Sequence, residues 1–309
     1  MPRVVIGVPM YRSEQLVVDA LETLLAQSYR DFAVVAVDDC SPDTTYDVAV
    51  ARFGDDSRVT IEANATRLGL CDNWNRVLER GIELHPDCEF FAWASDNDVH
   101  EPAWLEEAVQ TLDRNPAAVL AYSRAGEIVD GVRMQRRARA IDGPQPARAA
   151  DRMSAILRGA RDIGMLFGVQ RVETLRRAGG KPRLVAPDIL YLSHLALYGE
   201  FARCPDGLFF LGKRRTRGSH KRQRAAIFVG RPPLWSYLPV QVQRLGWLTQ
   251  HMVIGNRRPP GVGRLGAVSL TARFFVDDLR QEIVGTPARV RKRLNRRARR
   301  RRKAQLSKS

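Results

Sequence analysis

Phe90-Phe91-Ala92-Trp93-Ala94-Ser95-Asp96-Asn97-Asp98 decides the reading of this chain: an apolar run stops on two acids that flank an amide. An apolar run of this kind reads as a buried strand, and acids at the carboxyl end of a strand stand where open α/β sheets bind ligands. Two hard oxygen donors so close together suit Mg2+ or Mn2+, which take carboxylates, phosphates and water and bridge protein to a diphosphate. Asp-Asn-Asp is equally the chemistry of a tight turn, since Asx side chains bond their own backbone two residues on. The segments that precede it favour the first reading.

Val4 to Val8 is a β-branched run ending at Pro9, a strand of the type buried on both faces. After the loop Met10-Tyr11-Arg12-Ser13, Ser13 reads as a helix N-cap, with Leu16, Val17, Ala20, Leu21, Leu24 and Leu25 on one face until Gln27-Ser28-Tyr29. Phe32 to Val37 is a second strand and ends on Asp38-Asp39; Ser41 with Pro42 starts the next helix, through Val48 and Phe53. Val59 to Ile61 is a third strand, Leu68-Gly69-Leu70 opens a helix carrying Trp74, Val77, Leu78 and Ile82, and the strand ending at Asp96 follows. A helix from Glu101 to Leu112 and a strand at Val119 to Tyr122 continue the alternation, which implies a parallel sheet with right-handed crossovers. In such a sheet Pro9, Asp39 and Asp96 to Asp98 all lie on one edge.

At this point the residues resemble a known family. Pro9-x-Tyr11 with Glu14, Gln27-Ser28-Tyr29-Arg30-Asp31-Phe32, Val37-Asp38-Asp39-Cys40-Ser41, Leu68-Gly69-Leu70 and Ala94-Ser95-Asp96-Asn97-Asp98 resemble, in order and spacing, the family 2 glycosyltransferases of the GT-A fold, over roughly residues 3 to 215. The resemblance implies an α/β, Rossmann-like, mostly parallel sheet flanked by helices, here with a C-terminal helical and basic extension. It further implies that Pro9 and Tyr11 line a nucleobase pocket, that Asp39 bonds the base or ribose with Glu14 nearby, that Asp96 faces the ribose and phosphate side, and that Asp98 holds a divalent metal, Mn2+ or Mg2+. Taken by themselves, Tyr11 fits ordinary loop packing, and Asp38 and Asp39 fit a helix cap.

In the second half, Ile163 to Arg171, Val172 to Leu175 and Gly179-Gly180 look like the family's acceptor-side strand and turn. Ala186-Pro187-Asp188 then heads a helix running to Tyr198, and Asp188 matches the family's general base, although Pro187 stands where many relatives carry Glu. A carboxylate there takes the proton of an acceptor hydroxyl as it attacks opposite the leaving diphosphate; Pro-Asp is also a plain N-terminal cap signal. After a strand at Leu208 to Leu211 comes the basic loop Lys213 to Arg222, in which His220 is a weaker metal or phosphate contact and a solvated loop the alternative.

With 309 residues, 44% of them hydrophobic, the chain can form one large α/β domain and an accessory segment. The four cysteines show no zinc or disulfide spacing, which points to a reducing compartment. The amino terminus enters the first strand directly, and no apolar run approaches the ~18 residues that span a bilayer. The expected location is cytoplasmic, peripheral on the inner face of the plasma membrane. The net charge of +16 is concentrated in Arg289 to Lys303, which calls for a polyanionic partner: an anionic membrane surface first, nucleic acid second. Leu234 to Leu238 and Leu245 to Leu248 mix aromatics with nearby arginines, as an interfacial helix or a packed C-terminal helix would.

The expected organisation is a glycosyltransferase domain over residues 1–220, split into a nucleotide-sugar half (1–125) and an acceptor half (126–220), then a partly helical segment (221–285) and a polybasic tail (286–309). The expected activity is metal-dependent, inverting transfer from a nucleoside-diphosphate sugar, a UDP-sugar foremost, to a hydroxyl of a glycan or lipid-linked cell-envelope acceptor. The competing readings are an inactive α/β protein that binds nucleic acid through its tail, and a sugar nucleotidyltransferase.

Overall fold

In a computed structural model the chain is described over residues 1–129, 132–135, 146–159, 163–212 and 219–283. The first half alternates as β1 (Val4–Met10), α1 (Val17–Leu25), β2 (Phe32–Asp38), α2 (Thr45–Phe53), β3 (Val59–Ala63), α3 (Leu70–Leu84) and β4 (Phe90–Trp93). Then come β5 (Val99–His100), α4 (Trp104–Arg114), β6 (Ala118–Val129), β7 (Val132–Gln135), α5 (Ala149–Gly159), a 3-10 turn at Ile163–Phe167, β8 (Val169–Arg171), α6 (Val172–Ala178), α7 (Pro187–Leu195) and β9 (Glu200–Leu211). The C-terminal part holds α8 (His220–Ile227), a 3-10 turn at Leu234–Tyr237, α9 (Val240–Leu248), a π-helical turn at Thr249–Ile254 and a helix, α10, over 264–283.

Every residue of β1, β2 and β4 is buried, which is why these strands read as unbroken apolar runs rather than alternating ones. Sheet order is β3-β2-β1-β4-β8-β6-β9-β5, with β7 paired to β6. The sheet is mostly parallel, as expected: β3, β2, β1 and β4 run parallel and so do β6 and β9, while β8 runs antiparallel to both β4 and β6, and β5 and β7 are antiparallel to β9 and β6. Alternation fixes direction only while successive strands pair with each other. Here β4 and β6 are separated, and the three residues of β8 fill the gap.

Local boundaries also move. β4 ends at Trp93, not Asp96, and Asp96-Asn97 form a turn before β5. Ser13 is not the cap of α1: its carbonyl accepts from Leu16 and Val17 N–H in a lead-in turn, and its own N–H is given to Thr45 Oγ1. Pro42 does not open α2, because the Ser41 hydroxyl is engaged by Asp38 and by the Arg12 N–H; the Asp43 carboxylate accepts from Thr45 N–H at the true start instead.

The main core centres on Trp93, which meets Phe91, Tyr191 and Trp74 with ring centroids 5.1, 5.7 and 6.1 Å away. Such ring pairs add about 1 kcal/mol each beyond burial. A second cluster, including Leu157, Leu184, Leu190, Leu248, Met252 and Phe274, seats α9 and α10 against α5 and α7. Among the described residues no helix is long and apolar enough to cross a membrane.

Candidate functional site

Register places the carboxyl ends of β2, β1 and β4 side by side, with Met10 opposite Asp38 and Gly7 opposite Trp93. Tyr11, Asp39 and Asp96 therefore leave neighbouring strand ends. The Tyr11 N–H donates to Asp96 Oδ2 at 2.9 Å, tying the loop after β1 to the acidic turn. Loss of water around Asp96 raises its carboxyl above the usual range, opposed by bonds from Ser13 and from the Tyr11 N–H.

Asp39 is buried and accepts from Leu68 N–H at 2.6 Å, Gly69 N–H at 2.9 Å and Asn64 Nδ2 at 3.2 Å. It thus holds the start of α3, not of α2, where a negative charge meets the positive end of the helix dipole. Gly69 has φ 93°, and a Cβ there would meet the Ile227 carbonyl at 2.6 Å, so only glycine fits this junction. Arg67 stands 4.4 Å from the Tyr11 ring centre and 3.9 Å from Asp39, giving the pocket a cation.

Asp98 is buried, and its Oδ1 accepts from the Gly212 N–H at 2.8 Å. Gly212 presses so closely on the Asn97 carbonyl that any side chain would collide with it. The end of β9 is thereby locked under the acidic turn. Pro9 is buried in β1, paired with Val37. Glu14 is exposed on the rim and accepts from Thr44 Oγ1 at 2.8 Å and Thr44 N–H at 3.2 Å.

Asp188 is the second residue of α7. The preceding Ala186 is fastened from both sides: its N–H donates to Gln223 Oε1 at 3.1 Å, and its carbonyl accepts from Arg244 Nη2 at 3.1 Å. Across from it, burial pushes the Cys71 thiol up to about 12, with Lys181 and Asp188 as its charged neighbours. Burial likewise raises Asp72, which feels Asp39 and pairs with Arg183 at 3.1 Å. The first turn of α3 is therefore the bridge between Asp39 and Asp188. His220 is exposed at the head of α8 and is brought against none of these acids; the loop from Lys213 to Gly218 lies outside the described residues.

Among the described residues Arg12, Cys40 and Ala186 are the non-glycine residues with left-handed backbone, at φ 55°, 54° and 52°. Arg12 and Cys40 adjoin Tyr11 and Asp39, and Ala186 stands two residues before Asp188. Such conformations cost roughly 1–3 kcal/mol each and persist where the surroundings hold them.

Among the described residues no three His, Cys, Asp or Glu side chains converge as a complete cage. A divalent ion of the Mg2+ type keeps waters and takes one or two carboxylates with substrate phosphates, so the donor set Asp96, Asn97 and Asp98 fits an ion shared with a diphosphate.

The model of glycosyl transferase family 2 matches residues 5–172. The chain belongs to this family. An uncharacterized glycosyltransferase of Rickettsia typhi is 28% identical over 113 residues, 37% of this chain and 33% of that protein, so the match spans about a third of the relative's length. TarS residues 1–349 of S. aureus, solved in complex with UDP-GlcNAc, superposes with a TM-score of 0.61 at 18% identity, covering 90% of this chain and 72% of that one. The mannosyltransferase PcManGT of Pyrobaculum calidifontis, solved with GDP-Man and Mn2+, gives a TM-score of 0.51 at 18% identity, covering 91% and 87%. The fold is that of GT-A glycosyltransferases.

In this family 2 chain, sequence reasoning missed Arg67, Lys181 and Gln223, and took Arg244 for a cation beside an interfacial segment, whereas it is buried and paired with Asp278. Arg67 was findable, because it lies in a polar loop at the carboxyl end of β3, beside the other strand ends. Lys181 carried a weaker signal, directly after Gly179-Gly180; it is buried with its ammonium 3.1 Å from the Trp74 ring centre and 5.0 Å from that of Trp93. Gln223 and Arg244 act at long range, and nothing in their local sequence announces it.

Proposed function

We propose that the chain transfers a sugar from a nucleoside-diphosphate sugar, with a UDP-sugar as the leading donor, to a hydroxyl of a glycan or lipid-linked acceptor, with inversion at the anomeric carbon. The observation that carries this reading is the convergence of Tyr11, Asp39 and Asp96 at adjoining strand ends, with Asp188 across the first turn of α3. The matches to structures holding UDP-GlcNAc and GDP-Man support the donor class.

Pro9 and Tyr11 form the wall for the base, Asp39 accepts from base or ribose, and Glu14 sits at the rim. Asp96 faces the ribose and phosphates. Asp98 would hold Mn2+ or Mg2+ together with the diphosphate; His220, exposed at the head of α8 and away from these acids, drops out of the ligand set. Such an ion, when bound, stabilises the growing negative charge of the leaving group as a Lewis acid. Asp188 takes the proton of the acceptor hydroxyl while its oxygen bonds to the anomeric carbon, on the face opposite the departing diphosphate. The polybasic residues 286–309 hold the enzyme at an anionic membrane surface on the cytoplasmic side.

The test is thermal stability with UDP, GDP and dTDP, each with and without Mn2+, on the wild type and Asp98→Ala, because a ligand selective for the folded state raises its stability. A metal-dependent rise with one nucleotide, lost in the variant, is expected. No response to any of them would remove the donor reading. Release of pyrophosphate rather than nucleoside diphosphate from a sugar nucleotide would instead identify a nucleotidyltransferase.

A further inference from the structure

A cavity of about 940 Å3 lies apart from the strand-end crevice, between the outer face of α3, residues 175–184 and the C-terminal helices. Its volume is that of a small-molecule site. Leu78, Ile82, Leu175, Leu238, Val242 and Trp247 make an apolar wall, while Trp235 and Leu238 remain 44% and 48% exposed. Uncovered apolar surface of this kind around a cavity marks a binding surface.

The polar part of the lining is dominated by cations. Arg176, Lys181, Arg183 and Arg257 face two acids, Glu79 and Glu83, and Glu83 is already paired with Arg80 at 3.1 Å. Arg183 is held by Asp72, and Arg176 donates to the Pro86 carbonyl at 2.7 Å. Arg257 differs: its guanidinium rests against Gly179, and among the described residues it has no carboxylate partner. The wall bearing these cations is preformed, since Asn75 clasps the Lys181 backbone through bonds of 2.6 and 3.0 Å. Lys181 also borders the first turn of α3, beside Cys71 and Asp188, so the cationic end of the cavity is the end nearer the transfer site.

We propose that this cavity binds a single-chain alkyl phosphate, its hydrocarbon along the wall of Leu78, Ile82, Val242 and Trp247 and its phosphate on Arg257. Apolar length supplies the affinity and the guanidinium selects the anionic head. The binding stands independently of the donor reading, because it uses none of Tyr11, Asp39 or Asp96.

Gly246 lines the cavity, and a Cβ there meets nothing within 4 Å, so Gly246→Leu places a side chain in the open space of a helix that gains propensity from the change. Calorimetric titrations of the full chain would use octyl, decyl and dodecyl phosphate below their micellar concentrations, with inorganic phosphate, dodecyl maltoside and dodecyltrimethylammonium as comparisons. One alkyl phosphate per chain is expected, tightening about threefold to fourfold per methylene. Gly246→Leu should abolish binding, and Arg257→Gln should weaken it about tenfold or more, as loss of a charge-assisted bond does. Arg257→Gln should keep the wild-type melting temperature, Gly246→Leu should melt no lower than the wild type, and both should keep the nucleotide response. Equal binding of the maltoside or the ammonium overturns the anionic head, equal binding of inorganic phosphate overturns the chain, and undiminished binding by Gly246→Leu overturns the location.

Discussion

Asp39 couples the strand-end crevice to α3, because one carboxylate gathers Asn64, Leu68 and Gly69 and so sets where α3 begins. In Asp39→Asn an amide N–H2 faces those donors in place of an oxygen, and a buried bond lost in this way costs about 1–3 kcal/mol. The variant should therefore unfold at lower urea and also lose the nucleotide-dependent rise in stability; a variant that loses the first and keeps the second would make Asp39 only a helix fastener. Asp188 invites the opposite separation. As a cap in the first turn of α7 it is worth about 0.3–1 kcal/mol through the helix dipole, whereas as a proton acceptor it is worth about 100- to 10,000-fold in rate. Asp188→Asn should bind donor normally, keep nearly its full stability and lose at least 100-fold in turnover, on the order of a general base's lower limit. Single-turnover rates beside donor titrations decide this. Asp39 and Asp188 were both legible as residues, since acids next to strand ends and at helix starts are local signals. The bonding partners of Asp39 were not, because they come from a loop about 30 residues away in sequence.

At the scale of elements, α7 is aimed by helices far along the chain. Arg244 of α9 reaches the Ala186 carbonyl while forming a buried pair with Asp278 of α10 at 2.9 and 3.0 Å, both side chains only 6% exposed. Removing one member strands the other charge, at about 3–5 kcal/mol, but exchanging both for apolar residues of similar size is often neutral. The double variant Arg244→Met with Asp278→Leu should accordingly hold its melting temperature and lose the tether on Ala186, so turnover falls while donor affinity is kept. Unchanged turnover in a folded double variant would show that α7 needs no such support. The elements of the first half were readable because each buried strand is a continuous apolar run between a loop and an amphipathic helix. β8 was legible only as the end of a longer strand over Ile163 to Arg171: Ile163–Phe167 is a 3-10 turn, only Val169–Arg171 pair, and an inserted strand has no sequence mark of direction. Ser13 and Pro42 misled for a related reason: both have the right chemistry for a helix start, but tertiary partners claimed their neighbourhood first.

For the molecule as a whole, charge and buried histidine set how it responds to its medium. Burial lowers His194 to about 4 against an ordinary value of 6.5, opposed by a hydrogen bond with the Arg257 backbone and reinforced by the charges of His251 and Arg257. Above pH 6.5 the side chain is neutral in folded and unfolded chains alike. Between there and about 4 only the unfolded chain takes the proton, so stability should fall on acidification by up to about 1.4 kcal/mol per pH unit from this group. Urea midpoints from pH 7 to 4.5 should show a shallower loss in His194→Gln; equal slopes would mean that the buried ring is already solvated. The charge argument concerns the opposite end of the chain from the sheet. Residues 286–309 contain twelve Lys and Arg and no acid, which leaves residues 1–285 with a net charge of only +4. The excess is thus a property of the tail and not of the glycosyltransferase fold, and removing it should leave nucleotide binding intact. A chain ending at residue 285 should sediment with vesicles of anionic lipid far less than the full chain, while the full chain's binding should fall steeply with salt as the interaction is screened over about 10 Å at 0.1 M. Vesicles of neutral lipid should retain neither form. Equal retention of both forms on anionic vesicles would move the attachment to the exposed apolar residues Leu234, Tyr237 and Leu238, and salt-sensitive capture of RNA in preference to anionic vesicles would make nucleic acid the tail's partner.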